Sequence, residues 1–204
     1  TKIKELRSEN PNSLTLHAGD ATSGTLYFTL FEGEADAALM NSVCFDAFVV
    51  GNHEFNNGDQ GLVTFLDYLK EGNCQTPVLG ANVQPEVGVS PLAKSSANDY
   101  LEPYTIVERN GDKIGIIGIV ISKKTKMSSN PDDTTMFLDE ANTAQQYADE
   151  LKAQGVDRVI LLSHYGYDND LALAQKTSGI DIIVGGDSHS LLGDLSDLGL
   201  KPSG

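Results

Sequence analysis

The sequence predicts an α/β domain on a mixed sheet system, and three observations carry that expectation. Short apolar runs rich in β-branched residues alternate with longer stretches of helical spacing. Each run leads into a short polar stretch that contains glycine. One pair of β-rich runs flanks Asn110-Gly111, a dipeptide that favours a type I′ hairpin and so an antiparallel pair.

The elements follow in order. Leu14-Thr15-Leu16 reads as a buried strand leading into "HAGD". Thr25 to Val43 reads as a helix, with Gly33 weakening its middle. Phe48-Val49-Val50 is the second strand and runs into "GNHEF". Gly58 to Lys70 reads as a helix, and Pro77-Val78-Leu79 as the third strand before "GANV". Gln84 to Asp99 and Ser122 to Asp133 read as surface loops, on either side of the hairpin "YTIVERNGDKIGIIGIV". Asp139 to Gln154 is the clearest helix. Ala141, Ala144, Ala148 and Leu151 share one face, and Gly155 supplies the stop. Val159 to Leu162 leads into "SHYG", Asp168 to Thr177 reads as a helix, and Ile180 to Val184 leads into "GGDSHS". No internal repeat or domain boundary interrupts the chain, so residues 1–204 are expected to form a single domain.

Composition bounds the function. The 204 residues, 40% hydrophobic and 7% aromatic, suit one well-buried core. A net charge of −15 argues against nucleic acid or an anionic membrane as the main partner. It leaves a phosphate ester open, because bound cations reverse the sign locally. No apolar run approaches the roughly 20 residues that span a bilayer. Cys44 and Cys74 are equally compatible with one disulfide and with two thiols. The chain starts at Thr1 and ends in the loop-like "LGLKPSG", so we expect a segment trimmed at both ends from a longer parent.

The polar residues after the strands form a constellation. Asp20 follows the first strand, Asn52 and His53 the second, His164 the fourth, and Asp187 and His189 the fifth. In open α/β sheets, ligand sites collect beyond the carboxyl ends of the strands. Carboxylate, amide oxygen and imidazole suit zinc, manganese or iron, and thiolate is absent from the set. Taken singly, Asp20 reads as a turn or cap residue, and His164 as a satisfied core histidine. "GNHE" has no such structural reason, and the four sites together point to a metal centre.

These residues resemble the calcineurin-like metallophosphoesterases, and most closely their 5′-nucleotidase branch. That branch includes UDP-sugar hydrolases and 2′,3′-cyclic-nucleotide phosphodiesterases. The likeness runs through "HAGDATSGTLYFTLFEGEADAALMN", "FDAFVVGNHEFNNG", "PVLGANV", "GDKIGIIGIV", "VILLSHYGYDND" and "DIIVGGDSHSLLG". It implies a four-layer α/β/β/α sandwich of two mixed sheets flanked by helices. It also implies two divalent metal ions, zinc, manganese or similar. Asp20 then resembles the bridging carboxylate, Asn52, His164 and Asp187 ligands of the second metal, and His189 a ligand of the first. His53 resembles the catalytic histidine that, beside Asn52, meets the substrate phosphate and helps the leaving oxygen. The resemblance implies hydrolysis of nucleotide phosphomonoesters by a metal-bound hydroxide, in a periplasmic or extracellular enzyme.

Three departures qualify the expectation. No D-x-H precedes Asp20, where the family has two ligands of the first metal. Asp187 stands where the family pattern has histidine, and Asn56 where an aspartate usually pairs with the catalytic histidine. An amide stabilises an imidazolium poorly, so Asp59 is a candidate to compensate. The branch's C-terminal substrate-binding domain is also missing, so this chain is expected to hold one cation or none and to be an incomplete catalytic unit. The alternatives are a sugar-nucleotide hydrolase or cyclic-nucleotide phosphodiesterase of the same chemistry, or a degenerate, non-catalytic binding module.

Overall fold

A computed structural model describes residues 2–194 and 196–199. The elements are α1 (Lys2–Glu9), β1 (Leu16–His17), α2 (Leu26–Phe31), α3 (Glu34–Val43), β2 (Ala47–Val49), α4 (Gly58–Glu71), β3 (Val78–Leu79) and β4 (Val83–Pro85). They continue with β5 (Tyr104–Arg109), β6 (Asp112–Val120), α5 (Ser122–Ser128), β7 (Thr135–Phe137), α6 (Glu140–Ala153), β8 (Arg158–His164), α7 (Tyr167–Lys176) and β9 (Ile182–Gly185). Single 3-10 turns sit at His53–Phe55 and Ser196–Leu198.

The described residues form three sheets. Strands β1-β2-β3 pair in parallel, β4 and β7 form an antiparallel ribbon, and the larger sheet has the order β5-β6-β8-β9. The hairpin β5-β6 is antiparallel, while β6-β8 and β8-β9 are parallel, so the mixed character resides in the larger sheet. Asn110 (φ 53°) and Gly111 (φ 88°) are both left-handed, as a type I′ turn requires.

Strand alternation builds the layers. Ala47 and Val49 of β2 pack with Leu79, Ile116, Ile160 and Leu162, so the two main sheets face each other through one apolar seam. Phe48 and Val50 point the other way, onto Ala37 and Met40 of α3 and Leu62, Phe65, Leu66 and Leu69 of α4. On the far side, Ile117, Ile119, Val159 and Leu161 cover Ala144, Ala148 and Leu151 of α6. The order is therefore helix, sheet, sheet, helix, as expected. Each fully buried Phe or Leu in these seams contributes about 1.5–3 kcal/mol.

Several segments differ from expectation. The helix over Thr25 to Val43 is two helices: Glu32 (φ 49°) and Gly33 (φ 97°) both take left-handed backbone, which no continuous helix accommodates. Gln84 to Asp99 is not a surface loop throughout. It begins inside β4, and Ser90, Leu92 and Ala93 are buried. Ser122 to Asp133 begins with α5, where buried Thr125 donates its hydroxyl to Ile121 O at 2.5 Å. Cys44 and Cys74 form a disulfide, which ties the end of α3 to the segment after α4. Among the described residues no helix is long and apolar enough to cross a membrane.

Candidate metal centre

Every candidate ligand sits at the carboxyl end of a strand. The parallel registers Leu16 to Ala47 and Leu162 to Val184 bring those ends to one rim of the two sheets. The backbone there is unusual: Asp20 (φ 56°), Asp187 (φ 72°) and His189 (φ 52°) all lie in the left-handed region. Non-glycine residues seldom adopt that region, and such strain concentrates at functional sites. Gly51 is required by close approach, since a Cβ there would collide with Asp20 Oδ1 and lie 2.8 Å from His164 Cε1.

His164, almost wholly buried, is the hub. Its Nδ1 lies 2.6 Å from Ala18 O; a carbonyl only accepts, so Nδ1 carries the proton. Its Nε2 faces three oxygens: Asp20 Oδ2 at 3.1 Å, Asn52 Oδ1 at 3.3 Å and Asp187 Oδ1 at 3.6 Å. One nitrogen cannot donate to three acceptors. A cation in their midst, or an imidazolium, relieves the repulsion. One ligand atom each from Asp20, His164 and Asp187 lies within 4.8 Å of the others, and the 3.1 and 3.6 Å separations from His164 Nε2 fit bonds of about 2.0–2.2 Å to a common ion. The oxygen and imidazole donors fit a divalent cation chemically too.

Asn52 is wholly buried, and its Nδ2 has no hydrogen-bond partner among the described residues. That cost buys nothing for the fold; it aims Oδ1 at His164. Burial alone would lower the His164 pKa, but the hydrogen bond and charge of Asp20 and the Ala18 carbonyl outweigh it, and the net shift is upward. Burial likewise opposes the Asp20 carboxylate, yet His164 and the His53 N–H hold its pKa below the ordinary value.

The loop "GNHE" is organised by Glu54. Its buried carboxylate accepts from Gly51 N (2.5 Å), Asp20 N (2.9 Å), Thr22 N (3.0 Å) and Thr22 Oγ1 (3.2 Å). It thereby clamps the loops after β1 and β2 together. His53 donates its backbone N–H to Asp20 Oδ1 at 3.0 Å. Its Nδ1 lies 2.9 Å from Asn56 Nδ2, which leaves Nε2 for another partner. Asp59 does not compensate for Asn56. Its carboxylate is wholly buried elsewhere, accepting from Ser90 Oγ at 2.9 Å, from the Thr135 hydroxyl at 2.5 Å and from Asp132 N at 3.1 Å.

His189 lines a cavity of about 690 Å³ together with Asp20, His164 and Asp187, although it is not one of the three grouped ligands. Two residues escaped the sequence reading. Lys124 of α5 forms an ion pair with Asp187; its segment carries no apolar periodicity, so its sequence reads as a loop. Asp170 accepts from Ser163 Oγ at 2.6 Å beneath the rim. Burial pushes the Asp170 pKa up to about 6, with the Asp187 charge adding to it. An i, i+7 relation to Ser163 across a strand-to-helix turn gave no signal in the sequence.

The calcineurin-like phosphoesterase family model matches residues 1–191. The chain is 49% identical, over its full length, to a probable 5′-nucleotidase of Treponema pallidum, and covers 33% of that protein. It is 47% identical over 95% of its length to the NAD 5′-nucleotidase of Haemophilus influenzae, covering 30% of it. The solved structure of the Haemophilus influenzae NAD nucleotidase superposes with a TM-score of 0.89 over 98% of this chain and 38% of that one. The 5′-nucleotidase precursor of Thermus thermophilus superposes at 0.87, with 37% identity, over 98% of this chain and 37% of that one. The chain thus spans about a third of the length of the curated relatives it matches. With the rim geometry, the layered core and these likenesses in agreement, the chain belongs to the calcineurin-like phosphoesterase family.

Proposed function

We propose that residues 1–204 are the metal-binding domain of a longer nucleotide phosphohydrolase. The observation that carries this reading is the convergence of Asp20, Asn52 and Asp187 oxygens on His164 Nε2. Asp20, Asn52, His164 and Asp187 hold one divalent cation, zinc, manganese or similar. Asp20 and His189 contribute to a second. Bound cations supply Lewis acidity toward phosphoryl oxygens. Asn52 adds an oxygen without adding charge, which favours an anionic substrate. His53, paired through Nδ1 with the Asn56 amide, presents Nε2 to the leaving oxygen; as an imidazolium, with that amide turned so that its oxygen accepts from Nδ1–H, it gives the leaving oxygen a proton and returns to neutral imidazole, a contribution of about 10²–10⁴ in rate. Relatives named 5′-nucleotidase support a nucleoside monophosphate as substrate. A dinucleotide such as NAD is the second reading, favoured by the relative named NAD 5′-nucleotidase. Export to the periplasm or the cell exterior is supported by the disulfide, which persists in oxidising compartments, and by a relative from snake venom.

The test is hydrolysis of AMP by the protein that contains this chain, with manganese added, for wild type and His53→Ala. Turnover should fall by about 10²–10⁴ in the variant while metal content stays unchanged. Loss of metal together with turnover would remove His53 from the proton-donating role.

A further inference from the structure

Lys124 is the cation at this rim that no role above uses. It stands in the first turn of α5, and that turn is fixed: Ile121 N donates to His164 O at 2.9 Å, Ser122 N donates to Glu140 Oε1 at 2.7 Å, and Thr125 is buried. From there the amine reaches Asp187 Oδ1, the same oxygen that faces His164 Nε2 at 3.6 Å. The lysine side chain is 41% exposed and the aspartate 10%, so the positive charge approaches the carboxylate from the solvent side. Asp187 adds a second negative charge to a centre that already holds Asp20, and an uncompensated pair of carboxylates would repel a phosphate.

We propose that Lys124 is a positioning residue of the metal centre: it holds Asp187 Oδ1 toward His164 and, with a cation bound, receives a phosphate oxygen of the substrate. This rests on the metal-centre reading above. The two parts of the role have opposite signs. The ammonium competes with a divalent cation for Asp187, so it weakens metal binding. It attracts the phosphate, so it strengthens anion binding. A residue that merely supports the fold would move both affinities the same way.

Calorimetric titration of the metal-free chain with manganese, then of the manganese-loaded chain with inorganic phosphate, separates these effects. Lys124→Met should bind manganese about tenfold more tightly and phosphate about tenfold more weakly, as removing one nearby unit charge dictates. Lys124→Arg should keep both constants within about threefold of wild type, because the charge is retained. Lys124→Gln repeats the neutral test should the methionine variant fail to fold, as judged by its thermal melt. Unchanged constants in the neutral variant, or a shift of both in one direction, overturn the role of Lys124 and leave the metal centre standing. Absence of manganese binding by wild type overturns the metal centre itself.

Discussion

Glu54 shows how much a single side chain can organise. Three backbone N–H groups and one hydroxyl donate to its buried carboxylate, and all three backbone groups belong to the loops that carry Asp20 and Asn52. Burial and the Asp20 charge push its pKa up, so the ionised form is held by those donors against the cost of desolvation. Glu54→Ala strands the donors and should cost about 3–5 kcal/mol in urea unfolding, at about 1–3 kcal/mol per unpaired buried group. A loss under 1 kcal/mol would mean that the clamp is idle. Asp170 makes a pH prediction. With its pKa at about 6 against an ordinary 3.8, the folded state binds the proton more tightly than the unfolded chain. The resulting stability is complete below pH 3.8 and is lost as pH rises through about 6. In chelator, Asp170→Asn should remove a fall of up to about 3 kcal/mol between pH 3.5 and 7.5. Identical pH dependence in wild type and variant would contradict it.

Strands and helices were legible in unequal degree, and the reasons are physical. Five strand expectations hold to within a few residues, because a buried parallel strand must be a short apolar run. The helix Glu140–Ala153 keeps its predicted bounds because Asp139 caps it, accepting from Asn142 N at 2.9 Å, and Gly155 (φ 79°) ends it. Helix α5 was illegible because "SKKTKMS" has no apolar periodicity; its position comes from tertiary hydrogen bonds to His164 and Glu140. The ribbon β4-β7 escaped for a similar reason, since each strand is three residues long and pairs across a wide sequence gap. Between α3 and α4 the disulfide closes a separation of 30 residues. Reducing it should destabilise the chain by about 3–4 kcal/mol on a loop-entropy basis. Equal denaturation midpoints with and without reductant would show that packing of α3 on α4 already holds this corner.

The whole molecule is a four-layer stack whose two sheets end at a common rim. The candidate site was legible to the extent that each candidate ligand follows a recognisable strand: Asp20, Asn52, His164 and Asp187 lie apart in the chain and together in space. What sequence could not show is which side chain each one faces, because a rotamer is chosen by neighbours from other elements. The burial of Asp59 away from His53 and the reach of Lys124 are both of that kind. The likeness to 5′-nucleotidases extends over nearly all of this chain and about a third of theirs, so the stack is shared. The most direct measurement is calorimetric titration of metal-free wild type and His164→Ala with manganese. A saturable site in wild type, weakened about 100-fold or more in the variant, is the predicted result, since the hub ligand is removed. Equal manganese affinity in the two proteins would contradict the account, because the cation would then be bound away from His164.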